Sequence, residues 1–187
     1  MDVKRMRRVC AELFRGLNLR VPTEPDILFS ALCKEMTKRH DRPVEHRLVP
    51  FPAGTVSGLW VATTDRHLML IEANTAPDHQ LVILGHEFWH LEADAGRVQP
   101  VDSTEASALL APSVDADTVQ KIATRVAART NCGQDDETAS ELFGSMLGSK
   151  GLHWLEDRGR SLPASSTALV HRLHASLGLP EGPGAPQ

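Results

Sequence analysis

Leu81-Val82-Ile83-Leu84-Gly85-His86-Glu87-Phe88-Trp89-His90-Leu91 sets a charged trio, His86, Glu87 and His90, inside an otherwise uncharged stretch. The spacing predicts a helix from Pro77 to about Ala93, with Asn74 or Thr75 as its cap, Pro77 in its first turn and Asp78 at its positive end. Residues four apart share a helical face, so His86 and His90 can turn ring nitrogens toward one ion about 2 Å from each. Glu87 is rotated by about 100° from His86, beside that point rather than on it. A carboxylate there can hold and deprotonate a water that a zinc ion has acidified. This HExxH pattern arises in roughly three of a hundred shuffled chains of the same composition, so it needs a third ligand before it carries an assignment. The competing reading is an amphipathic helix whose histidines fall one turn apart.

Working outward, Val44–Val49, Leu59–Ala62 and His67–Ile71 read as strands, with Pro50–Gly54 a loop and Thr64–Arg66 a turn. Before them, Val3, Met6, Val9, Cys10, Leu13, Phe14 and Leu17 recur at helical steps up to a stop near Gly16. A second helix runs to about Arg39, with Thr23 as its cap and Pro25 and Asp26 in its first turn. After the HExxH helix, 114–129, 135–147 and 165–177 have helical patterns. The expected fold class is α+β: a helix-rich domain with a small antiparallel sheet of about three strands packed on the HExxH helix. The expected domain spans residues 1–177, with N-terminal helices in 1–40, a core in 44–148 and C-terminal helices in 149–177. The Pro/Gly-rich tail, 178–187, is expected to be disordered.

The chain has 187 residues, 41% hydrophobic and 24% charged, which suits one soluble globular domain and excludes collagen-like and disulfide-scaffold classes. No run nears the ~18 apolar residues of a membrane span, and the basic start lacks the apolar core of a secretory signal. Cys10, Cys33 and Cys132 are scattered and without CxxC spacing, as expected of reduced thiols in a cytoplasmic protein. The net charge of −4 gives no pull toward nucleic acid, and no direct nucleic-acid binding is expected. Lys4, Arg5, Arg7, Arg8, Arg15 and Arg20 make the first twenty residues locally basic, which reads as a solvated helix face.

The search for a third ligand leads to Asp135-Asp136-Glu137-Thr138-Ala139-Ser140-Glu141-Leu142-Phe143-Gly144. Ser140, Gly144 and Gly148 form a small-residue stripe that lets a facing helix approach closely. Glu137 borders that stripe and becomes the ligand candidate, with Asp136 as its competitor. Glu141, one turn on, can orient a metal-bound histidine through its second ring nitrogen. Asp94 lies too far along its helix axis. His153, His171 and His174 read as surface or core histidines, and Trp60 and Trp154 as core. With no tyrosine in the chain, His153 is a weak candidate for oxyanion stabilisation.

LMLIEA, NTAPDHQ, LVILGHEFWHLEA and ETASELFGSML together resemble the ImmA/IrrE family of metallopeptidases, particularly its actinobacterial members. His79-Gln80 matches a pair that precedes the family's HExxH helix, and Glu137, Ser140, Glu141, Phe143 and Gly144 match its later motif. The resemblance covers roughly residues 44–148. It implies a minimal gluzincin-like fold, zinc ligands at His86, His90 and Glu137, and Glu87 as general base. Ser140 stands where the family has Ala, and the bulky Phe88-Trp89 where it has Leu-Gly, so that Trp89 is expected to narrow the cleft. The expected activity is that of a cytoplasmic zinc endopeptidase, with an extended peptide lying along His67–Ile71 against Leu70 and Ile71. The substrate implied is a helix-turn-helix transcriptional regulator. The alternatives are a non-catalytic regulatory or toxin–antitoxin partner that uses the same fold for binding, and a zinc hydrolase of small amides.

Overall fold

A computed structural model describes residues 2–52, 54–94, 100, 101, 118, 121, 122 and 134–155. Four helices are described, α1 (Val3–Arg15), α2 (Pro25–His40), α3 (Pro77–Asp94) and α4 (Gln134–Gly151), with three strands, β1 (Val44–Val49), β2 (Gly58–Ala62) and β3 (His67–Glu72). A single 3-10 turn, Leu152–Trp154, follows α4. The architecture is α+β, as expected. Of the expected 114–129 helix only Thr118, Lys121 and Ile122 are described, and they are helical. The 165–177 helix, the disordered tail and Cys132 lie outside the described residues.

The sheet is mixed rather than antiparallel. Its order is β1-β3-β2, with β1 parallel and β2 antiparallel to β3. The physical reason lies in the connections. Thr63–Arg66 makes a tight β2–β3 turn in which the Thr63 hydroxyl donates to Asp65 and accepts from the Arg66 amide. The β1–β2 connection, with Pro50 and Pro52, is too long and too constrained for a tight hairpin, which leaves β3 to take the central place.

Alternation along β3 sends Met69 and Ile71 toward the helices, while Leu68 and Leu70 join Val49, Val61, Val101 and Ile122 on the opposite face. Both faces of the central strand are therefore covered, so β3 reads as an apolar run. α3 packs on β2, β3 and α4 and is the spine of the main core.

Local capping differs from expectation at two helices. Thr23 does not cap α2; its amide donates to the Trp154 carbonyl at 2.7 Å, and Glu24 takes the cap position without its side chain capping the helix. α3 begins its backbone bonds with the Gln80 amide donating to Ala76, beyond Asn74 and Thr75. The buried Gln80 side chain then donates to the carbonyls of Glu72 and Ala73, tying the end of β3 to the first turn of α3. At the other end of α3, the Glu92 carboxylate receives Arg5 from α1 and Arg39 and His40 from α2, at 3.0, 2.7 and 3.1 Å. That knot fixes both opening helices to the HExxH helix.

Candidate metal centre

His86 and His90 project from α3 with their Nε2 atoms 2.9 Å apart. α4 brings Glu137 to them: its Oε2 lies 3.5 Å from His86 Nε2 and its Oε1 3.7 Å from His90 Nε2. Donors sharing a tetrahedral zinc at 2.0–2.1 Å are about 3.3 Å from one another, so the three groups converge at a spacing one ion can bridge. The three side chains form a group that could hold a metal ion. Two imidazoles and a carboxylate are a donor set suited to a first-row transition metal. Glu137 is 45% exposed and His86 25%, which leaves an open side for a further ligand. Of the two candidates on α4, Glu137 belongs to the cluster and Asp136 is exposed.

The close approach of the two helices is made by glycine. A Cβ on Gly144 would stand 2.6 Å from the Val82 carbonyl oxygen, so the small-residue stripe is where α4 meets α3. Phe143 and Leu147 fill the core beside it. Trp89 does not narrow the cleft. It is buried, tilted against Phe143 with ring centres 4.9 Å apart and covered by the Arg5 guanidinium, because its position on α3 turns it into the core.

Glu87 occupies a niche over β2. Its Oε2 accepts the Trp60 backbone N–H at 2.7 Å, and its Oε1 lies where a Cβ on Gly58 would be only 2.6 Å away. Burial pushes its carboxyl up to about 8; the Trp60 amide opposes this and the Glu137 charge adds to it. Burial and the neighbouring His90 lower the pKa of His86, against the pull of Glu137 and Glu141, which favours the neutral ring that a metal needs.

Other expected site residues fall elsewhere. Leu70 and Ile71 are fully buried in the central strand, whose two edges are both paired, so no peptide can add there. His153 is exposed beyond the far end of α4, bonded to the Lys150 carbonyl, and some 20 Å of helix separates Lys150 from Glu137. It cannot serve an oxyanion at the cluster. Glu141 is exposed and makes no hydrogen bond to either histidine among the described residues, although its charge acts on His86. The side chain beside the Nδ1 of His90 is instead Ser140, at 3.5 Å. The sequence gives no sign of this contact, because Ser140 also fits the small-residue stripe. The Gly58–Trp60 niche carries no sequence signal, since one contact is a backbone amide and the other a missing side chain.

A cavity of about 600 Å³ opens between α1 and α4, lined by Arg7, Cys10, Ser145, Met146, Ser149 and Lys150. Among the described residues it has no histidine or carboxylate in its walls, and none of the metal cluster lines it. No helix among the described residues is long and apolar enough to cross a membrane. Neither a family model, nor a curated protein, nor a solved structure matches this chain.

Proposed function

We propose that the chain is a cytoplasmic zinc endopeptidase of the ImmA/IrrE type, acting on a helix-turn-helix transcriptional regulator. The observation that carries this reading is the convergence of His86, His90 and Glu137 from two helices, with Glu87 held beside them. The resemblance of the HExxH helix and the later ETASELFG motif to that family supplies the substrate class. In this reading His86, His90 and Glu137 hold zinc, which when bound supplies Lewis-acid polarisation and acidifies water. Glu87 is the proton acceptor, its raised carboxyl being ionised by the positive charge that zinc would place beside it: the Trp60 N–H holds Oε2, and Oε1 is the oxygen left to take a proton from the attacking water and pass it to the leaving amine.

One observation favours the second reading, a non-catalytic regulatory or toxin–antitoxin partner. Glu87 is buried and already bonded to β2, a position that also suits a purely structural carboxylate. The Glu87→Gln variant separates the two. Mixed with a helix-turn-helix regulator, sought first in the neighbouring reading frame, the wild type should release fragments and Glu87→Gln should bind the regulator without cutting it. Regulation in cells that is untouched by Glu87→Gln would establish the binding role.

A further inference from the structure

We propose that the cavity between α1 and α4 is a binding site for a small organic anion with an apolar body, a carboxylate or phosphate ester on a hydrocarbon chain or ring. Its walls are two matching helix faces. Arg7 and Cys10 stand three residues apart on α1, and on α4 Ser145 and Ser149, like Met146 and Lys150, stand four apart. The helices run in the same direction past each other. The Cys10 thiol donates to the Met146 carbonyl at 3.9 Å, and four residues further along each helix the Lys150 ammonium lies 5.8 Å from the centre of the Phe14 ring. Lys150 therefore leans from α4 across the gap to α1 at one end. Arg7 stands at the other, about 10 Å of helix before Phe14.

Floor and rim differ in chemistry. Cys10 is buried and Met146 half-buried, both against the main core, so the floor is apolar. Arg7, Ser145, Ser149 and Lys150 are exposed around it. Among the described residues neither Arg7 nor Lys150 has a carboxylate partner, whereas Arg5 and Arg39 are both engaged by Glu92. A guanidinium fork, an ammonium and two hydroxyls supply donors and positive charge for the oxygens of an anion. The floor takes up an apolar body, and a volume of about 600 Å³ suits a small molecule. A cation would meet repulsion at the rim, and a purely apolar ligand would leave the rim charges unused.

Cys10 takes no covalent part. Burial pushes its thiol up against the opposing charge of Lys150, and its proton is directed to the Met146 carbonyl. No wall residue belongs to the His86, His90 and Glu137 group, so the site stands apart from the zinc reading.

The test titrates the full-length protein with two fluorescent probes, anilinonaphthalene sulfonate, an anion on apolar rings, and its uncharged parent phenylnaphthylamine. The wild type should bind one equivalent of the sulfonate, and the uncharged probe at least about 10-fold more weakly. Arg7→Gln combined with Lys150→Gln should weaken the sulfonate about 10–100-fold. Urea unfolding should be unchanged in that variant, because both side chains are exposed. Arg8→Gln removes an exposed α1 cation that is not among the walls and should leave the affinity as it is. Ser149→Trp, which fills the groove from its rim, should abolish binding of both probes. A wild type that does not bind the sulfonate, or binds both probes equally, overturns the proposal. So does an affinity that the double variant leaves unmoved, or that Arg8→Gln lowers as far.

Discussion

The Cβ that Gly85 lacks would lie 2.9 Å from the Cα of Gly144, so α3 and α4 cross backbone to backbone one residue before His86. Ligands on both helices can meet only while that approach is kept. Gly144→Ala, whose Cβ would fall 2.6 Å from the Val82 carbonyl oxygen, should force the helices apart. Overpacking of this kind costs about 1–3 kcal/mol. The loss should appear in urea unfolding, together with a weakened metal affinity. Unchanged affinity would show that Glu137 reaches the histidines without the close crossing.

Metal binding should rank the carboxylates of α4. Glu137→Gln removes a ligand and should lower zinc affinity by more than about 100-fold, a larger loss than supporting residues usually give. His86→Ala should likewise lose the roughly one equivalent retained by the wild type. Asp136→Asn and Glu141→Gln should change affinity by less than about threefold, since both are exposed and neither belongs to the cluster. Titration against a competing chelator gives the order, and one led by Asp136 would displace Glu137 as ligand.

Gly58→Ala addresses Glu87 without touching a ligand. The new Cβ would meet Glu87 Oε1 at 2.6 Å and Ile83 Cγ2 at 2.5 Å, both movable ends of side chains. The carboxylate should swing out of its niche, at a stability cost of about 1–3 kcal/mol. Zinc content should hold while cleavage of the regulator falls about 10²–10⁴-fold, the usual worth of a positioned base. Full cleavage with zinc retained would remove the niche from the mechanism.

Much of this was legible in the order of residues. The helical period around HExxH and the small stripe Ser140-Gly144-Gly148 placed α3 and α4 face to face, and Glu137 beside them. Strand periodicity located all three strands but could not say which neighbours which, because alternation fixes faces and not partners. The burial of Leu70 and Ile71 follows from that missing order: a central strand has no free edge. Glu92 was equally silent, since a charged residue near a helix end is ordinarily solvated. Only the tertiary fold brings Arg5, Arg39 and His40 onto it.

Glu92 and His67 together predict acid lability. His67 is buried, accepts the Trp60 indole N–H on Nδ1 and faces His40 and Arg42. Burial and the positive charge of these neighbours hold it down to about 4, below its ordinary 6.5. The unfolded chain then binds the proton more readily, so this contribution is complete above pH 6.5 and lost as pH falls to 4. His86, lowered by burial and His90, acts in the same direction. For Glu92, burial acts to raise the carboxyl, but the bonds from His40 and Arg39 and their charges outweigh it and bring it to about 2. Its stabilisation is present above the ordinary 4.5 and lost on the way down to 2. His67 and Glu92 each account for up to about 3 kcal/mol by linkage. Urea unfolding from neutral pH to pH 3 should therefore show stability falling through both windows. His67→Gln should flatten the upper window and Glu92→Gln the lower. Glu92→Gln should in addition cost roughly 2–4 kcal/mol at pH 7, because Arg39 keeps its position and is left with only the partly exposed Glu12 as counter-charge. A His67→Gln curve parallel to the wild type between pH 6.5 and 4 would move the upper window to other groups, His86 first among them.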